Sequence, residues 1–290
     1  MNIQPKKFSI VIPTLNAAPL LATLLEKIKS QTIQPIEILI VDSSSSDKTI
    51  SIAHKHKVTV CKILRESFNH ALTRQKAIEQ LIHTDYVVLL TQDAVLASDS
   101  SIETLLKAFE DPKVSIAYGR QLPWDNADSI EQHSRHYNYS DKSYIYSYQD
   151  KTAFGIKTTF SSDSFCAYRL STFVTLGGFD KALLCSEDMY FAAKALCSGY
   201  KVAYIAEATV FHSHNLSLRD EFKRYQAIGQ FHRDENWIIE SFGNANKEGL
   251  RFIKSELKYL LKTNPQLIPL ALLKTLNKWI AFKIGKYLYR

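Results

Sequence analysis

Asp93 ends the run Tyr86-Val-Val-Leu-Leu-Thr-Gln-Asp-Ala94, where a Val-rich apolar stretch stops abruptly in Thr91, Gln92 and Asp93. A carboxylate at the end of a buried strand is well suited to hold a divalent cation against phosphate oxygens. A second run ends in His212-Ser-His214, and an H-x-H pair can supply further ligands to such a cation. Glu187 and Asp188 follow Ser186, a residue type that caps helices, so they fall in a first turn where the helix dipole favours anions. There they could act as a general base or simply stabilise the helix, and the same dipole would keep a base ionised and weak. Asp93 could likewise be a cap, although Ser98 and Asp99 are better placed for that role.

These residues need a scaffold that brings them together, and the order of elements supplies one. Apolar runs at 8–12, 36–41, 58–64 and 86–90 alternate with amphipathic segments at 19–30, 48–56 and 69–81. Strict alternation of this kind predicts βαβ units and a parallel sheet. In an open α/β sheet ligands bind at the carboxyl edge of the strands. Polar groups end three of these strands: Thr14 and Asn16 after Pro13; Asp42 with Ser43, Ser44, Ser45 and Ser46; and Gln92 with Asp93. Asp42 could accept hydrogen bonds from a base N–H, or cap the next helix with Asp47. No G-x-G-x-x-G or G-x-x-x-x-G-K pattern occurs, so neither a dinucleotide fold nor a P-loop is indicated.

Beyond residue 111 the character changes. A strand at 114–118 leads into Gly119-Arg120-Gln121-Leu122-Pro123-Trp124 and then a segment holding Tyr137, Tyr139, Tyr144, Tyr146 and Tyr148. Aromatic rings with hydroxyls suit sugar faces, and they equally suit a packed excursion. A polar cluster containing Asp163 lies in a strand or turn at 160–168; Gly177-Gly-Phe-Asp180 is a turn, a helix is expected over 186–199, and two strands at 202–205 and 208–211.

Four widely spaced cysteines (Cys61, Cys166, Cys185, Cys197) with no C-x-x-C pair argue against a zinc site or disulfide framework and suit a reducing cytosol. The amino end runs straight into a strand, so no signal peptide is expected. Residues 251–290 hold nine Lys or Arg and one acid, +8, and since the chain carries +7 the remainder is −1. Basicity confined to the tail speaks against nucleic acid as partner. The tail interleaves Lys with Leu, Ile, Phe, Trp279 and Tyr, as a helix lying in an anionic membrane interface would; a helix packed on the body with its lysines in water is the alternative.

Taken together, Ile12-Pro-Thr-Leu-Asn16, Val41-Asp-Ser-Ser, the Asp93 strand end, Gly177-Gly-Phe-Asp180, Glu187-Asp188 and His212 resemble, in order, the inverting family 2 glycosyltransferases of the GT-A fold. Thr91-Gln-Asp-Ala94, Gly119-Arg-Gln-Leu-Pro123 and Asn69, His70, Thr73 and Arg74 are closer still to bacterial rhamnosyltransferases. The resemblance implies a Rossmann-like α/β GT-A domain over 1–215, its nucleotide half at about 1–120 and its acceptor half at about 120–215, with a basic helical appendage at 216–290.

The resemblance further implies that Pro13, Thr14, Asn16, Asp42 and Ser44 hold the nucleotide. Arg74, Gln92, Arg120 and Gln121 would meet the diphosphate or donor sugar, and Trp124 and Asp163 the acceptor. Asp93 with His212 or His214 would bind Mg²⁺ or Mn²⁺. One carboxylate in place of the usual Asp-x-Asp pair implies a loose metal requirement, or a cation held mostly through the donor diphosphate. Asp188 would be the base, with Glu187 as fallback. The implied donor is dTDP-L-rhamnose, a UDP-hexose being the alternative. The implied acceptor is a lipid-linked glycan at the cytoplasmic face of the membrane, in polysaccharide or lipopolysaccharide synthesis. Two other classes stay open: a nucleotidyltransferase, which would carry a glycine-rich loop after its first strand, and a non-catalytic nucleotide- and membrane-binding protein.

Overall fold

A computed structural model of the chain describes residues 7–81, 83–214, 216–244 and 248–288. Its strands are β1 Phe8–Thr14, β2 Ile38–Asp42, β3 Thr59–Lys62, β4 Tyr86–Leu90, β5 Val95–Leu96, β6 Val114–Leu122, β7 Tyr144–Tyr146, β8 Phe165–Arg169 and β9 Lys201–Phe211. They form one sheet in the order β3-β2-β1-β4-β8-β6-β9-β5, with β7 added beside β9. The pairs β1/β2, β1/β4, β2/β3 and β6/β9 are parallel, whereas β8 runs antiparallel between β4 and β6. The carboxyl ends of β1, β2, β4, β6 and β9 therefore share one edge with the amino end of β8.

Register does the positioning. Thr14 is the partner of Asp42, and Val11 that of Leu89, so the polar residues ending each strand come level. The strands alternate into two cores, as a sheet covered on both faces must. Ile10 and Ile12 pack with Leu21, Leu24 and Leu25 of helix Ala18–Lys29 on one face. On the other face Val11 and Leu89 meet Phe173, Phe179 and Phe191.

One expectation from the sequence changes here, and one open alternative narrows. The stretches at 202–205 and 208–211 form the single strand β9; Gly119 pairs with Ile205 while Arg120 pairs with Thr209, so the residues between bulge out. Gly119 sits at that bulge because a Cβ there would collide with Phe165, and it would lie only 2.5 Å from the Ala208 carbonyl oxygen. In the tyrosine-rich segment, Tyr139 is buried and the Tyr144 hydroxyl lies 2.8 Å from that of Tyr118 on β6, so these two serve packing, while Tyr137, Tyr146 and Tyr148 are half-buried.

The C-terminal helices Leu218–Asp234, Asn236–Phe242, Glu248–Thr263 and Ile268–Lys283 pack on the body and on one another. His133 Nε2 and Ser255 Oγ lie 2.9 Å apart, and Leu260 joins Ile130 in a small core. Gly229 and Gly285 let the first of these helices touch the last and the helical turn Ile284–Leu288 that follows it: a Cβ at Gly229 would collide with the Phe282 carbonyl, and one at Gly285 with that of Gln226. No helix among the described residues is long and apolar enough to cross a membrane.

Candidate active site

The loops after β1 and β2 are stitched together by their own polar side chains. Thr14 Oγ1 donates to Asp42 Oδ1 (3.0 Å), and Ser45 N donates to Asp42 Oδ2 (2.9 Å). Asn16, in the left-handed region at φ 50°, donates its N–H to Ser45 Oγ (2.8 Å) and accepts from Ser46 N (2.9 Å). Ser44, at φ 63°, is exposed and donates instead to the Ile63 carbonyl (2.9 Å). Helix capping falls to Asp47, which accepts from Ala18 N and Thr49 N (3.0 and 2.9 Å), and not to the buried Asp42. Gln92 zips onto the backbone of Leu15, accepting from its N–H (2.7 Å) and donating to its carbonyl (3.1 Å). These loops frame a cleft of 370 Å³ whose walls include Pro13, Thr14, Phe68, His70, Arg74 and Asp93.

Asp93 is no helix cap, because the two-residue strand β5 follows it and the next helix begins at Ser101. Its Oδ1 lies 3.4 Å from His212 Nε2 and its Oδ2 3.4 Å from His214 Nδ1, bringing one donor atom from each residue within 4.8 Å of the others. His212 is buried, its Nδ1 lies 2.8 Å from Gln121 Oε1, and Nε2 has no hydrogen-bond partner. Arg135 Nη1 donates to the same Gln121 oxygen (2.8 Å), while the Gln121 amide nitrogen donates to Ser162 Oγ (2.8 Å). With Oε1 thus an acceptor, Nδ1 carries the hydrogen and Nε2 turns a lone pair toward the carboxylate.

Two acceptors facing each other across 3.4 Å form an arrangement that a cation between them relieves. Burial lowers the pKa of both imidazoles and so favours their neutral form. One carboxylate and two neutral imidazoles fit a divalent transition ion such as Mn²⁺ better than Mg²⁺, which prefers all-oxygen ligands.

The second acidic group is more deeply set. Arg74 is buried, its Nη1 2.7 Å from Glu187 Oε1 and its Nε 3.5 Å from Asp163 Oδ2. Its charge therefore serves two carboxylates as well as the cleft wall. Asp163 accepts from the Tyr168 hydroxyl (2.6 Å), and its N–H donates to Asp188 Oδ2 (3.3 Å). Asp188 also accepts from Met189 N (2.7 Å). Burial, then the neighbouring Glu187 charge, raises the Asp188 pKa to about 7, which corrects the expectation that the helix terminus leaves it a weak base. Ser186 departs from expectation too: it is left-handed at φ 63° and its side chain makes no cap hydrogen bond.

A second cleft, of 570 Å³, shares His70 and Thr91 with the first and is walled by Gln121, Glu187, His212, His214 and Arg224 among others. Arg120 and Trp124 are in neither wall. Arg120 precedes Gln121 on β6 and so faces away from it, its charge acting on Tyr204 and Glu207. Trp124 stacks on Phe211 (5.3 Å between centroids) and its backbone N–H donates to Ser213 Oγ (3.3 Å). Phe68, Arg135, Ser162 and Arg224 escaped sequence reading, since nothing in their local pattern sets them apart from packing or solvent-facing residues.

The glycosyl transferase family 2 model matches residues 9–177. The O-antigen chain rhamnosyltransferase RfbN of Salmonella typhimurium is 45% identical over 97% of this chain and 90% of its own length. The O-antigen chain rhamnosyltransferase WbaN of Salmonella anatum is 43% identical over 97% and 89%. Among solved structures, the mannosyltransferase PcManGT from Pyrobaculum calidifontis, in complex with GDP-Man and Mn²⁺, superposes with a TM-score of 0.66 at 16% identity, covering 99% of this chain and 90% of that one. S. aureus TarS 1-349 does so with a TM-score of 0.54 at 14% identity, covering 97% and 90%. These two likenesses speak to the GT-A fold.

Proposed function

Since the chain belongs to glycosyl transferase family 2 and is a glycosyltransferase, we propose that it transfers L-rhamnose from dTDP-L-rhamnose to a lipid-linked glycan, inverting the anomeric centre, in surface polysaccharide synthesis. The donor nucleotide lies between the loops after β1 and β2, against Pro13, Thr14 and Phe68. Asp93, His212 and His214 hold the cation; when bound, such an ion neutralises charge on a leaving diphosphate. The acceptor hydroxyl enters through the cleft walled by Glu187 and Arg224, and Asp188 takes its proton as the new glycosidic bond forms. A base with a pKa of about 7 is matched to that work at neutral pH. Glu187 is unsuited to share it, because its carboxylate is bound to Arg74.

The observation that carries this reading is the meeting of two clefts at His70 and Thr91, with Asp93 in the wall of one and His212, His214 and Glu187, the chain neighbour of Asp188, in the wall of the other. The last helix supports peripheral membrane association: Leu272, Leu273, Leu276 and Trp279 are each about half exposed, at 47%, 49%, 52% and 59%. A row of apolar side chains beside lysines favours an anionic cytoplasmic leaflet.

A thermal-shift panel of dTDP, UDP, GDP and CDP, with and without Mn²⁺, tests the donor. A ligand binding only the folded state at a hundred times its dissociation constant adds about 2.7 kcal/mol. A dTDP-selective, Mn²⁺-enhanced shift is expected; a UDP-selective shift would contradict the rhamnose donor.

A further inference from the structure

We propose that a third cavity, separate from the two clefts of the candidate active site, binds the lipid diphosphate to which the acceptor glycan is attached. The inference rests on the lipid-linked acceptor proposed above. The cavity measures 820 Å³ and lies between the tyrosine-rich segment and the C-terminal helices, within the range of about 300–1,000 Å³ that accommodates small ligands. Tyr146 and Phe154 wall one side, Phe282 and Tyr287 the other, which suits an apolar chain.

Its charge is one-signed. Lys157, His232, Lys283 and Lys286 line it and no acid does. Lys157 is neutralised by Glu248 at 2.7 Å. Lys283 and Lys286 instead bring their Nζ atoms to 5.1 and 5.7 Å from the centroid of the Tyr287 ring, and neither meets a carboxylate among the described residues. Two ammonium groups beside one ring, neither paired with a carboxylate among the described residues, match a diphosphate, whose charge exceeds that of the single phosphodiester of a bulk phospholipid.

Position agrees with chemistry. The helix that exposes Leu272, Leu276 and Trp279 delivers Phe282 and Lys283 straight into this cavity, so a lipid head could reach it from the membrane side. The cavity adjoins the acceptor cleft, because chain neighbours divide between them: Asn138 and Ser140 line the cavity and Tyr139 the cleft, while Tyr225 lines the cavity and Arg224 the cleft.

The test is calorimetric titration of the full-length protein with farnesyl diphosphate in saturating dTDP, which keeps the nucleotide cleft filled. Binding should persist, with farnesol, inorganic diphosphate and dihexanoyl phosphatidylglycerol each at least tenfold weaker. Lys283→Gln/Lys286→Gln should weaken it at least tenfold and leave dTDP affinity unchanged. Gly249 lines the cavity and has open space where a side chain would begin, so Gly249→Leu should also weaken the lipid without touching the lysines. Displacement of farnesyl diphosphate by dTDP, equal binding of phosphatidylglycerol, or undiminished binding by both variants would overturn the inference. Failure of dTDP to bind would count against the donor reading alone, since the lipid titration is read separately.

Discussion

His212 Nδ1 donates to Gln121 Oε1 at 2.8 Å, and this one contact decides which face the imidazole turns toward Asp93. The amide is itself held, its oxygen by Arg135 and its nitrogen by Ser162, so the orientation of His212 is set from outside the cluster. Partners of this kind, one step out from a metal ligand, fix its tautomer and basicity.

Gln121→Ala should consequently weaken Mn²⁺ by about 10–100-fold while Asp93, His212 and His214 remain. Titration of Mn²⁺ by its electron paramagnetic resonance signal measures this directly. Unchanged affinity would mean that Gln121 acts elsewhere, as a donor-sugar contact would.

Asp93→Ala should remove the Mn²⁺ dependence of dTDP binding, and His212→Ala should do most of the same. Calorimetry of dTDP with and without Mn²⁺ reads the coupling. If the metal still tightens dTDP in both variants, the cation is held by other groups.

Turnover should depend on pH through Asp188. A carboxyl with a pKa of about 7 is mostly protonated, and so inactive as a base, below that value. At limiting substrate the rate should rise about tenfold per pH unit up to about 7 and level above it. A profile already flat from pH 5.5 upward would exclude a base raised in this way.

Gly119→Ala should destabilise the fold by about 1–3 kcal/mol, because the added methyl meets Phe165 and the Ala208 carbonyl where β9 bulges against β6. Urea unfolding measures it, and a loss below 0.5 kcal/mol (a level typical of innocuous surface changes) would show that the bulge yields.

Much of the frame was legible in the linear pattern. Strands 1, 2 and 4 and their polar endings stand out because an apolar run buried on both faces must end where water or ligand begins, as Val41-Asp42 and Leu90-Thr91 do. The antiparallel β8 was not legible, since its direction depends on the excursion at 123–164 returning to the edge it left. Nor was the company kept by Arg74: its burial with Glu187 and Asp163, over a hundred and nearly ninety residues away, is a product of convergence. The pKa of Asp188 followed the same logic. The local helix terminus argued for a strongly ionised acid, whereas burial and Glu187 decide otherwise.

The most direct measurement is single-turnover transfer by Asp188→Asn, with donor affinity determined on the same preparation. The amide keeps the size of the carboxyl and removes its ability to take a proton. Donor affinity within about twofold of the unmodified enzyme and a rate reduced by about 10²–10⁴ is the predicted result. A rate within threefold of the unmodified enzyme, at equal donor affinity, would contradict Asp188 as the base.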